Sequence, residues 1–110
     1  MGTDKNKHLR SFRIKIDGPI QQRLQQELSD ADMGKQELIG LACDWFVEKR
    51  VTGVLPPRYF VSPHDSQYEC LWLREETAKR LHDIASSDGT KASRVLYTAL
   101  ARYIENLDKK

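Results

Sequence analysis

The residues with the clearest chemistry crowd one end of the chain. Lys5, Lys7, Arg10, Arg13 and Lys15 face only Asp4 in the first fifteen positions, a balance of +4. The whole chain of 110 residues carries +2, so the remainder sums to −2. A basic segment on a near-neutral body fits a nucleic-acid contact, and it fits a solvated tail equally well. Other reactive side chains are scattered. His64-Asp65 and His82-Asp83 are sequence neighbours, which do not face each other on a helix, and His8 lies in the tail. Cys43 and Cys70 have no metal-ligand spacing and make no disulfide framework, which points to a reducing compartment such as a cytoplasm. The chain has no glycine-rich phosphate loop, nucleophile elbow or metal quartet. The expectation is a non-enzyme without metal or cofactor.

The cations continue into Ser11-Phe-Arg-Ile-Lys-Ile16, which alternates strictly. Phe12, Ile14 and Ile16 take one face; Ser11, Arg13 and Lys15 take the other. Period two with β-branched residues is a half-buried strand. Asp17-Gly-Pro19 ends it, and Pro19 suits a first helical turn. Ile20, Leu24 and Leu28 then recur at helical spacing, and Ser29–Gly34 is a polar break. Lys35–Lys49 is a second helix with Leu38, Ile39, Ala42, Phe46 and Val47 inward, widened by Leu41 and Trp45. Gly34 with Glu37 resembles a weak capping box.

The same pattern returns without a gap at one constant offset: Ile14 falls on Leu71, Ile16 on Leu73, Leu24 on Leu81, Ala42 on Ala99. Gln67–Leu73 is the matching strand, with Tyr68, Cys70 and Trp72 on its outer face. A helix resumes at Arg74-Glu-Glu76, its acidic first turn favoured by the helix dipole. Leu81, Ile84 and Ala85 form its inner side. Ser87-Asp-Gly-Thr90 is a sharp turn with Thr90 as expected N-cap. Val95, Leu96, Ala99, Leu100, Tyr103 and Ile104 run at helical spacing to the end. A lone short strand needs a partner, and so small a unit cannot bury its own apolar face. The expectation is therefore a mainly α domain with a two-stranded antiparallel β-ribbon, two halves sharing one core about a pseudo-twofold axis.

The expected organisation is a basic N-terminal arm at 1–8, a first repeat at 9–50, an ordered linker at 51–66 and a second repeat at 67–107. Pro56, Pro57 and Pro63 exclude a regular element from the linker. Val54, Leu55, Tyr59, Phe60 and Val61 make it apolar enough to lie over the core, and sixteen residues reach roughly 50 Å. No apolar run is long enough for a membrane span. The polar, charged N-terminus does not read as a signal peptide, and Asn6 stands where a myristoylation site wants Ser or Thr.

Strand, helix, glycine-containing turn and helix in this spacing resemble the ribbon-helix-helix family of DNA-binding proteins, the Arc/MetJ superfamily. The best-matching stretches are Leu73-Arg-Glu-Glu-Thr-Ala-Lys-Arg-Leu81 and Asp88-Gly-Thr-Lys-Ala-Ser-Arg-Val-Leu96. The double hit in matched register is similar to the tandem, single-chain form, as in TraY-type accessory proteins of plasmid conjugation. The resemblance implies a ribbon in the major groove of double-stranded DNA, with outward strand residues reading base edges. Carried over, the base readers are Ser11, Arg13 and Lys15, with Arg13 bidentate to guanine, Lys15 donating to guanine or phosphate, and Ser11 tolerant of several bases. The phosphate clamps are Gly34, Lys35 and Gln36 in one half and Thr90, Lys91, Ala92 and Ser93 in the other, at the second helices' N-termini. Lys5, Lys7 and Arg10 form an arm that follows the backbone or enters a minor groove.

The second strand departs from the pattern, because Tyr68, Cys70 and Trp72 include no cation. Three readings stay open: asymmetric recognition with Tyr68 and Trp72 on thymine methyls or sugars, cover by linker or arm, or a protein-binding face. A transcription regulator and a DNA-transfer accessory factor would use the same contacts. A second copy on adjacent DNA, or a relaxase or other DNA-processing protein, are the further partners implied.

Overall fold

A computed structural model describes residues 9–61 and 63–109; the arm residues Lys5 and Lys7 lie outside them. The described chain runs strand, helix, helix and then strand, helix, helix. β1 spans Leu9–Lys15, α1 Gly18–Ala31, α2 Lys35–Val51, β2 Tyr68–Arg74, α3 Glu75–Asp88 and α4 Ala92–Asp108. The helix starts at 18 and 75, and at 35 and 92, are related by the same offset that sets Ile14 on Leu71. The helix ends at 31 and 88, and at 51 and 108, keep it too. The molecule is mainly helical, with one two-stranded antiparallel sheet among the described residues.

Local chemistry sets these boundaries. Asp17 is extended (φ −70°, ψ 157°) and ends β1; Pro19 then sits in the first turn of α1, where its missing N–H costs nothing. α1 stops at Asp32 in the left-handed region (φ 51°), a conformation Asp tolerates better than most residues. α3 stops at Gly89 (φ 67°), where no Cβ opposes that geometry. The Thr90 amide donates back to the Ala85 carbonyl (2.9 Å), so Thr90 closes α3, and the residue capping α4 is Lys91 rather than the expected Thr90.

The core draws on both halves. Ile14 and Ile16 come from β1 and its end, and Leu71 and Leu73 from β2; Leu38, Ile39, Ala42 and Phe46 come from α2; Val95, Leu96, Ala99 and Leu100 come from α4, all buried. α2 packs against α4; α2 also lies against β2, and α4 against β1. α2 thus covers the later strand and α4 the earlier one, and elements far apart in sequence share one core. The Tyr97 hydroxyl donates to Asp17 Oδ1 (2.7 Å), fastening α4 to the turn after β1; burial and that carboxylate push its pKa up to about 12.

Leu41 and two linker valines differ from the sequence reading, whereas Trp45 joins the core side of α2 as expected. Leu41 is 45% exposed, because α2 turns Leu38, Ile39, Ala42 and Phe46 to the core and leaves Leu41 outside that face. Trp45 is half-buried, edge-on to Tyr103 with ring centres 5.7 Å apart. In the linker, Leu55, Tyr59 and Phe60 pack on the core, whereas Val54 and Val61 are exposed. The Phe60 amide donates to Thr98 Oγ1 (2.8 Å), and Arg102 lies 4.9 Å over the Phe60 ring. No described helix is long and apolar enough to cross a membrane.

Candidate nucleic-acid interface

Cross-strand pairing fixes which side chains share a face. β1 and β2 pair with Ser11 opposite Trp72, Arg13 opposite Cys70 and Lys15 opposite Tyr68. Directly opposite residues of an antiparallel pair point the same way. The alternate set, with Phe12 opposite Leu71 and Ile14 opposite Glu69, faces the helices. Among the described residues, burial of Ile14 and Leu71 leaves the other face of the ribbon open. On it, Ser11, Arg13 and Cys70 are exposed, Lys15 is half-buried, and Tyr68 and Trp72 keep 55% and 47% of their surface. All six residues expected to read bases therefore sit together.

The cations on this face are not free rotors. The Arg13 guanidinium lies 4.7 Å from the centre of the Tyr68 ring, diagonally across the ribbon. Lys15 Nζ lies 5.1 Å from the same ring and donates to the His64 carbonyl (3.0 Å). Arg10, read with the arm, is instead the second residue of β1; its guanidinium pairs with the Glu75 carboxylate (2.7 Å).

The starts of α2 and α4 flank the ribbon. Lys35 and Gln36 of α2 line one groove with Leu9, Ile39, Cys70, Leu71 and Trp72. Ser93 of α4 lines the opposite groove with Arg13, Lys15, Tyr68, Pro63 and His64. Gly34 and Lys91 are the extended N-caps, and neither start carries a side-chain cap hydrogen bond. The expected capping box at Gly34 and Glu37 therefore does not form. Gly34, Lys35, Gln36 and Lys91 are exposed or nearly so, Thr90 and Ser93 half-buried and Ala92 buried. The Lys35 ammonium is engaged by Glu69 (3.2 Å), which an incoming anion would have to displace.

The two cysteines and His82 sit in different settings. Burial pushes the Cys43 thiol far up, whereas Cys70 is exposed on the open face opposite Arg13. The His82 ring stacks near Phe12 (5.7 Å). Among the described residues, no group of three or more His, Cys, Asp or Glu is arranged to hold a metal. Two features escaped sequence reading: the Arg13–Tyr68 stack, and a polar cluster in which Asp88 accepts from Arg50 and Tyr59. The stack had a usable signal. If the constant offset of the repeat is taken as a twofold relation, Arg13 must oppose Cys70, and Tyr68 becomes its diagonal neighbour. No family model, curated protein or solved structure matches this chain.

Proposed function

We propose that the chain is a tandem ribbon-helix-helix protein whose ribbon enters the major groove of double-stranded DNA. Three relations support a pseudo-twofold arrangement. The helix boundaries of the two halves repeat at a single offset. The register pairs Arg13 with Cys70, which are related by that same offset, as an antiparallel pair on a twofold axis must be. The packing of α2 on β2 mirrors that of α4 on β1.

The observation that carries the DNA reading is the open ribbon face, with Arg13 and Lys15 outward and helix starts on both sides. A two-stranded ribbon fits a groove about 12 Å wide. Arg13 has the fork geometry to take guanine O6 and N7, Ser11 accepts or donates to several bases, and the helix starts present N–H dipoles to flanking phosphates. Tyr68, Cys70 and Trp72 are chemically unlike Arg13, Lys15 and Ser11, so the two half-sites differ and the preferred site is not a palindrome. The role is that of a DNA-transfer accessory factor or a transcription regulator in the cytoplasm, acting with a second copy or a DNA-processing protein on adjacent DNA.

Selection of the preferred site from random duplexes, followed by footprinting, tests this. Unequal protection of the two half-sites is expected. A perfect palindrome with equal protection would overturn asymmetric recognition. A protein-binding role is the second reading, favoured by the exposure of Tyr68 and Trp72 and by the apolar groove that Trp72 shares with Leu9 and Ile39. Failure to retain any duplex at low salt would favour it.

A further inference from the structure

We propose that Tyr68 is a positioning residue that decides which half-site Arg13 reads, an inference that rests on the DNA reading above. Arg13 stands one pair from the middle of the ribbon, opposite Cys70 and related to it by the repeat offset. From there its guanidinium has two diagonal neighbours on β2, Tyr68 on one side and Trp72 on the other. The position is symmetric; the side chain is not. Its guanidinium lies over the Tyr68 ring at 4.7 Å, so the cation leans toward the end of the ribbon that holds Lys15.

That end is built to receive it. Lys15 is drawn to the same ring and anchored by the His64 carbonyl, which offsets the repulsion between two neighbouring cations. Pro63 and His64, which lead into β2, line the groove beside them together with Ser93 of α4. At the opposite end the ribbon's cations already lie beside carboxylates: Arg10 pairs with Glu75, and Arg74 shares a groove with Glu37 and with Asp44, itself paired with Arg80. A long arginine side chain loses rotamer freedom when it docks on a base edge. Stacking on a ring before DNA arrives removes part of that cost, and it fixes the direction of the fork. The target class follows: a duplex with guanine offset from the centre of the site toward the Lys15–Tyr68 end, without an equivalent guanine in the other half. Lys15, held by His64, acts through this platform rather than as an independent base reader.

The test compares Tyr68→Leu, which removes the ring, with Tyr68→Phe, which keeps it. Tyr68 is 55% exposed, so neither change opens the core. In the free protein, the Arg13 side-chain protons should carry an upfield ring-current shift in the wild type and in Tyr68→Phe and lose it in Tyr68→Leu. In site selection from random duplexes, Tyr68→Leu should lower the preference for the offset guanine about two- to fivefold, the range of an exposed cation–π contact. Tyr68→Phe should retain it, and in an Arg13→Ala background Tyr68→Leu should leave the preference at the guanine position unchanged. A guanine preference unchanged by Tyr68→Leu, or lost equally in Tyr68→Phe, would overturn the positioning role while leaving DNA binding intact. A full loss in the Arg13→Ala background would also overturn it, by making Tyr68 a direct DNA contact. If the wild type retains no duplex, the DNA reading itself fails, and the ring-current shift still reports whether the stack exists.

Discussion

Asp88→Ala is expected to lower folding stability by about 2–4 kcal/mol. The magnitude follows from what the carboxylate holds. Asp88 Oδ2 accepts from Arg50 Nη2 (2.8 Å), from Arg50 Nε (3.3 Å) and from the Tyr59 hydroxyl. Arg50 also donates to the Leu55 carbonyl (3.1 Å), so one cluster ties the end of α2, the linker and the end of α3. The Arg50 and Asp88 side chains are only 16% and 12% exposed, so alanine leaves a largely desolvated guanidinium without its counter-charge. Hydrogen bonds to charged groups contribute about 1.5–3 kcal/mol each, and they do not add when they share one acceptor. For a domain near this size, the lower bound corresponds to a fall in Tm of at least about 8 °C.

Acid sharpens this prediction. The Tyr59 hydroxyl, with the Arg50 guanidinium, holds the Asp88 carboxyl below the usual carboxylate range. A group with a depressed folded pKa stabilises fully above its unfolded value and loses that contribution as pH falls through the folded value. Urea denaturation followed by Trp45 and Trp72 fluorescence should give a wild-type advantage that is constant from about pH 5 to 8 and shrinks below about pH 4. A difference under about 0.5 kcal/mol at neutral pH, or one unchanged at about pH 3, would refute the role assigned to the cluster.

Leu71→Ala removes a fully buried strand residue and should cost about 2–5 kcal/mol in the same urea assay. Gly89→Ala should cost about 1–2 kcal/mol although nothing lies within 4 Å of the Cβ that alanine adds, because the cost comes from the backbone at φ 67° alone. A maleimide should label Cys70 in the native protein and spare Cys43, whose buried thiol resists ionisation until the chain unfolds. Equal labelling of both would contradict the placement of α2 in the core. Arg13→Ala should cost about 1–3 kcal/mol on the preferred duplex and relax base choice there, as competition binding with single-base variants can measure.

Local signals make the elements legible in the sequence. Strict alternation in Ser11–Ile16 announced a one-sided strand, and Pro19 marked the opening turn of α1. The apolar positions of α2 and α4 recur at matching spacing because each helix buries one face against the other. What escaped notice depends on groups distant in sequence. Arg10 pairs with Glu75, Lys15 with the carbonyl of His64, and Asp88 with Arg50, contacts that exist only once register and packing are set. Thr90 misled as a cap for a local reason: Gly89 turns the backbone left-handed, so the Thr90 amide is spent on α3 and the α4 cap falls one residue later. Leu41 misled because an apolar residue on a helix already rich in them carries no mark of which side it takes. Outward placement of Arg13 and Tyr68 could be read from alternation, but their stacking required the register.

The central claim is that the open face of the ribbon binds duplex DNA. Titrating the ¹⁵N-labelled chain with its selected duplex, and following backbone amide shifts, tests it most directly. The account predicts the largest changes along residues 9–15 and 68–74, with further changes in the first turns of α2 and α4, all reversed by added salt. Changes confined to α1 and α3, or none at any duplex concentration, would contradict it.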